Sequence, residues 1–242
     1  MNIRYLEQDW QIVVVAASCA VADLRATLAE LSGKSLGADI RVMASERDDL
    51  RAFLGETDYP ATFGLPETLQ PGHYWSTVLA DLDYSRQRTI LVQAGVHVPD
   101  KWDARLVAVG QRAQGAWAVA PLCAKHPLLS AFYDAGHAPG LPVEAVDQWL
   151  NDYVEGTEFE VPVMLESCLL LQGPAWKQLG GAENDRQLME RIRLQGGWLV
   201  ATDQVYIDDS ALPGDSDISW LPQAYLNAFR GRHPLTATRH AL

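Results

Sequence analysis

The sequence predicts a three-layer α/β sandwich, with helices on both sides of a mostly parallel sheet. Three observations carry this. The run Gln11–Ala17 is β-branched without polar alternation, as a strand buried on both faces must be. A Leu-spaced helix and a second strand, Asp39–Ala44, follow at once, which makes a βαβ unit and hence a parallel pair. A third unalternated strand, Thr89–Gln93, ends in Ala94-Gly95 and is followed by another helix.

The elements then read in order. Leu24, Leu28 and Leu31 recur at helical spacing, so Ala22–Leu31 is a predicted helix, with Gly33 as its stop. A short helix is expected over Glu46–Gly55. Tyr59–Pro71 carries Pro60, Gly64, Pro66 and Pro71, which predicts a long irregular connection. His73–Leu82 places Tyr74, Val78 and Leu82 on one helical face, and Lys101–Gln111 reads as a further helix. Gly115–Ala120 is expected as a strand, Ala135–Pro142 as loop, Val143–Tyr153 as helix and Val161–Leu171 as one long apolar strand. Helices at Pro174–Leu179 and Asn184–Gln195 and a strand at Trp198–Tyr206 complete the pattern. Residues 1–210 are expected to form one domain, with 211–242 an irregular extension packed on it.

Composition narrows the function classes. A net charge of −12 leaves no basic face to release counterions, which argues against nucleic acid as a partner. No apolar run approaches the ~18 residues of a spanning helix. The acids of the first nine residues do not suit a signal peptide. A cytoplasmic protein is the expectation. Cys19, Cys123 and Cys168 are far apart in apolar surroundings, which reads as reduced, buried thiols rather than a metal site. In open α/β sheets ligands gather beyond the carboxyl ends of the strands, where strand order reverses. That brings Ala17–Cys19, Ala44–Glu46 and Gln93–His97 to one crevice.

One segment is more specific. An apolar strand leads to Trp176-Lys177-Gln178-Leu179-Gly180-Gly181, then Glu183-Asn184-Asp185, then Arg191-Ile192-Arg193-Leu194-Gln195-Gly196-Gly197 and a final apolar strand. This resembles the acceptor half of family-2 glycosyltransferases, and the order of elements agrees from about Gln11 to Ser210. The resemblance implies the GT-A fold and transfer of a sugar, with inversion, from a nucleotide sugar to a carbohydrate or glycolipid acceptor such as a bacterial polysaccharide. It implies Asp185, with Glu183 beside it, as the catalytic base. A helix-capping role suits the same acids.

Where the family carries Asp-x-Asp, this chain has Gln93-Ala94-Gly95, and where it has an Asp after the second strand, Ala44-Ser45 stands. Ser18, Ser45, Gln93, Gly95 and His97 are therefore the expected nucleotide-sugar contacts. Two carboxylates at the Asp-x-Asp position hold magnesium or manganese in the family. Their absence predicts a reaction without a tightly held divalent cation. Were one bound, His97, Asp208 and Asp209 would be its ligands. The competing reading is a silent glycosyltransferase-like protein that binds a carbohydrate, a protein partner or a second copy of itself.

Overall fold

The structure is a computed structural model of the 242-residue chain. It describes residues 9–36, 38–70, 72–82, 87–125, 141–154, 156–162, 164–172, 176, 179 and 182–212. Eight strands form one sheet in the order β3-β2-β1-β4-β7-β5-β8-β6. β1 (Trp10–Ala16) lies between β2 (Asp39–Ser45) and β4 (Arg88–Gln93), parallel to both. Every residue of β1 is buried, which is why it shows no polar alternation. Each of its Val and Ile side chains contributes about 1.5–3 kcal/mol by leaving water.

α1 (Val21–Lys34) connects β1 to β2 and buries Leu24, Thr27, Leu28 and Leu31. It runs through Gly33 rather than stopping there. Its last turn is held by Lys34, whose ammonium donates to Glu30 one turn back and to the Val98 carbonyl. α2 (Asp48–Gly55) follows β2. The stretch expected to be irregular contains an edge strand, β3 (Ala61–Leu65), parallel to β2. Its residues are half exposed and broken by Gly64, so the hydrophobic pattern of a strand is absent. Pairing with β2 supplies the order instead.

α3 (Tyr74–Ala80) precedes β4, and α4 (Trp102–Arg112) leads from β4 to β5 (Ala116–Cys123). α5 (Val143–Tyr153) packs against β8 (Trp198–Ile207), which is parallel to β5. The long apolar strand expected over Val161–Leu171 is shorter. Only β7 (Cys168–Gln172) joins the ladder, antiparallel to both β4 and β5. Met164 and Leu165 are buried off the ladder, and Pro162 has no N–H to donate, so burial rather than strand pairing explains that apolar run. A short strand, β6 (Glu158–Glu160), covers the far edge antiparallel to β8. α6 (Asp185–Leu194) completes the helices.

Three tryptophans, Trp75, Trp102 and Trp176, are among the largest fully buried side chains, and one continuous core runs the length of the sheet. Cys123 and Cys168 are buried and reduced. Among the described residues no helix is long and apolar enough to cross a membrane. Most of the helix expected at Pro174–Leu179 lies outside the described residues, as does the extension beyond Leu212.

Candidate functional site

Strand order reverses beside β1, where the chain goes outward to β2 and β3 on one side and to β4 on the other. The carboxyl ends of β1 and β4 part there and open a cavity of about 330 Å³. Val15 and the Ala17–Cys19 turn form one wall, and Gln93, Ala94, Gly95 and His97 the opposite one. Asp23 and Thr27, from the first two turns of α1, and Leu212, from the segment after β8, complete the lining.

The loop after β4 is pinned at every step. Gln93 N–H donates to the Ser167 carbonyl and Ala94 N–H to Val15. Gly95 N–H donates to Thr27 Oγ1 at 2.8 Å. His97 and Asp208 exchange a pair of backbone hydrogen bonds. Gly95 has φ +101°, a conformation that side-chain-bearing residues rarely adopt. A methyl group there would lie 3.0 Å from Leu212 Cδ2.

His97 Nδ1 lies 2.8 Å from Glu30 Oε2 on α1. Glu30 also accepts from Lys34 and from the Val98 N–H, and Lys34 bridges onward to Glu144 of α5. Burial pushes the Glu30 carboxyl up, but the hydrogen bonds from Lys34, His97 and Val98 outweigh it and hold the group below the usual carboxylate value. The half-buried Cys19 thiol is pushed up to about 11 by burial, against the pull of nearby Arg47, so it is a poor nucleophile.

The expected site residues therefore separate. Ser18, Gln93, Gly95 and His97 line one cavity. Ser45 is fully buried at the end of β2, and its hydroxyl donates to the Ala17 carbonyl at 2.8 Å, so it fixes the neighbouring wall from behind. Asp209 is nearly buried. Its Oδ1 accepts the N–H groups of Ala124 and Lys125, and its Oδ2 accepts the Ser167 hydroxyl. Asp208 Oδ1 accepts Ser210 N–H.

Glu183 is exposed, and its N–H donates to Gln187 Oε1. The cap of α6 is Asn184, which accepts Gln187 N–H. Asp185 turns away from its own helix and accepts Ser76 N–H, at the start of α3, at 2.8 Å. Burial raises its carboxyl above the usual value, and the N–H groups of Ser76 and Trp75 offset part of that.

Asp23, Thr27 and Leu212 are lining residues that the motifs did not flag. Only Thr27 leaves a trace in the sequence, as the polar residue on the Leu24–Leu28–Leu31 face of α1. Among the described residues no three His, Cys, Asp or Glu side chains form a metal cluster. Asp23, Gln93 and His97 are all among the residues that line the cavity. A divalent cation carried in on a diphosphate needs only one or two protein ligands, the remainder being phosphate and water, and Asp23 or His97 would supply one.

No family model matches the chain, and no curated protein matches it. Solved structures do. GalNAc-T7 with UDP, GalNAc and Mn2+ matches over 82% of this chain and 43% of its own, at 12% identity and a TM-score of 0.54. The mannosyltransferase PcManGT from Pyrobaculum calidifontis, in complex with GDP-Man and Mn2+, matches over 97% of this chain and 64% of its own (14% identity, TM-score 0.52). S. aureus TarS 1-349 in complex with UDP-GlcNAc matches over 88% and 61% (9% identity, TM-score 0.52).

The chain thus has the GT-A glycosyltransferase fold, and it spans less than two thirds of each of these structures. They correct one expectation. A reaction without a divalent cation was inferred from the Gln93-Ala94-Gly95 replacement, yet GalNAc-T7 and PcManGT both hold Mn2+. Carboxylates counted at one loop do not by themselves decide whether a protein of this fold works with a divalent cation.

Proposed function

We propose that the chain is a glycosyltransferase of the family-2 type. In this reading it binds a nucleoside diphosphate sugar in the cavity between the ends of β1 and β4. It transfers the sugar, with inversion, to a carbohydrate or glycolipid acceptor such as a growing polysaccharide. The observation that carries the reading is the cavity itself, at the strand-order reversal of a GT-A sheet and lined by Ser18, Gln93, Gly95 and His97. The Ser18–Cys19 turn and the Gln93 side chain face the nucleotide and its phosphates, while the N–H groups of Gln93, Ala94 and Gly95 hold the loop itself in place. A divalent cation brought in on the diphosphate would find a protein ligand in Asp23 or His97 and would neutralise charge on the leaving phosphate.

Asp185 is assigned as the base that takes the proton of the attacking hydroxyl, and burial, by raising its carboxyl above the usual value, makes it a stronger base. Glu183, exposed beside it, faces the acceptor. The test is calorimetric titration with UDP-GlcNAc and GDP-mannose in the presence of Mn2+, followed by a transfer assay on Asp185→Asn. The asparagine keeps the shape but not the basicity, so turnover falls on the order of 100-fold or more. Unchanged transfer by that variant removes the base assignment, and failure to bind either donor removes the whole reading.

One observation favours a second reading, a silent glycosyltransferase-like binder. The carboxylate of Asp185 is taken up by the first turn of α3. In that case wild-type protein binds the nucleotide sugar and turns nothing over.

A further inference from the structure

The cavity is small for the ligand assigned to it. Pockets that enclose drug-sized ligands run roughly 300–1,000 Å³, and a base, ribose, two phosphates and a hexose together belong to the upper part of that range. This cavity, at about 330 Å³, lies at the bottom. The structure also indicates which side chain closes it.

After β8 the chain turns back over the ends of β1 and β4. Leu212 N–H donates to the Asp209 carbonyl at 3.0 Å, and the Leu212 carbonyl accepts the Lys125 ammonium at 2.8 Å. With its backbone held at both sides, the Leu212 side chain packs on the main core and lies over Gly95, close enough that a methyl group on Gly95 would sit 3.0 Å from Cδ2. An apolar isobutyl group therefore covers the loop beside which the diphosphate belongs. Anionic phosphate gains nothing from such a neighbour and loses hydration against it.

We propose that Leu212 is a specificity-determining residue that closes the phosphate end of the cavity. With Leu212 seated, the cavity admits a nucleoside, and the diphosphate sugar enters fully only when Leu212 leaves Gly95. This rests on the nucleotide-sugar reading above. The contact of Leu212 is with Gly95, so the Ser18–Cys19 wall is left to the nucleoside in both cases.

The test compares Leu212→Ala and Leu212→Phe with wild type by calorimetric titration of uridine, UDP and UDP-GlcNAc, and of guanosine, GDP and GDP-mannose, with Mn2+ present. Circular dichroism melts establish that each variant is folded. In wild type the affinity for the diphosphate sugar stays within about tenfold of that for its nucleoside. Leu212→Ala raises the affinity for the diphosphate and its sugar by tenfold or more and changes that for the nucleoside by less than threefold. Leu212→Phe moves the diphosphate sugar in the opposite direction. Equal effects on nucleoside and diphosphate sugar, or no effect on either, overturn the proposal and leave the nucleotide-sugar reading standing. Absence of binding by every ligand to wild type and both variants overturns that reading and the proposal with it.

Discussion

One carboxylate oxygen of Asp185, at the first position of α6, accepts the backbone N–H of Ser76 in the first turn of α3 at 2.8 Å. The two residues are 109 apart in sequence. α3 has no side-chain cap of its own, since its N-cap His73 makes no such bond, and Asp185 provides one from another helix. The carboxylate also offsets the positive end of the α3 dipole. Asp185→Ala removes both effects and is expected to cost about 1–2 kcal/mol, with Asp185→Asn costing under ~1 kcal/mol because the amide oxygen still accepts. Urea denaturation of the two variants checks the difference. Faster hydrogen exchange at Trp75 and Ser76 in the alanine variant locates it, and equal stabilities of the two variants argue against a cap.

Asp209 anchors two other segments to its own, the end of β5 through Ala124 and Lys125 and the start of β7 through Ser167. Asp209→Ala removes the acceptor for three donors in a nearly buried place. At ~1–3 kcal/mol for each buried polar group left unpaired, a loss of about 3 kcal/mol or more is expected. Denaturant unfolding measures it, and a loss under ~1 kcal/mol means that the three donors find other partners.

Gly95 carries both a positive φ and a close neighbour, and a double-mutant cycle separates the two. Gly95→Ala is expected to destabilise by about 1–3 kcal/mol from backbone strain, with the Leu212 contact added. In the Leu212→Ala background the contact is gone and only the strain remains, so the cost of Gly95→Ala falls. Identical costs in both backgrounds place Leu212 away from Gly95 in solution.

The Glu30 cluster predicts a pH dependence of stability. Its carboxyl is held below the ordinary value of 4.5 in the folded state by Lys34, His97 and Val98, against the upward push of burial. A depressed folded pKa means that the stabilisation is present above the unfolded value and is lost as pH falls through the folded one. Wild type should therefore lose stability on acidification below about pH 4.5 through this group, and Glu30→Gln should lose less over the same range. Thermal melts between pH 7 and 3 compare them, and parallel curves would show that the cluster carries no differential charge.

Chelation tests the cation. In Leu212→Ala, where the phosphate end is open, nucleoside diphosphate affinity should rise tenfold or more, about 1.4 kcal/mol, on adding Mn2+ and fall back with EDTA. Asp23→Asn should remove most of that gain and leave nucleoside binding alone. A gain that survives Asp23→Asn intact assigns the cation to other ligands.

What the sequence by itself determined is the framework that periodicity records. The unalternated apolar runs of β1 and of the middle of β4 could be read because a strand covered on both faces admits mostly apolar side chains. The Leu spacing of α1 and the bounds of α5 follow from one-sided burial of a helix. These strand ends brought Ser18, Gln93, Gly95 and His97 to one place, since strand order alone sets where a parallel sheet opens.

Tertiary structure decided the rest. β3 owes its order to pairing with β2, and Val161, Met164 and Leu165 are buried though they form no part of β7. The turn of Ser45 toward Ala17, the use of Asp185 by α3, the burial of Asp209 and the seating of Leu212 on Gly95 are contacts between segments tens of residues apart. A local pattern encodes which face of an element is buried. Which partner meets a single polar or apolar side chain on that face depends on how distant elements pack, and periodicity carries no record of it.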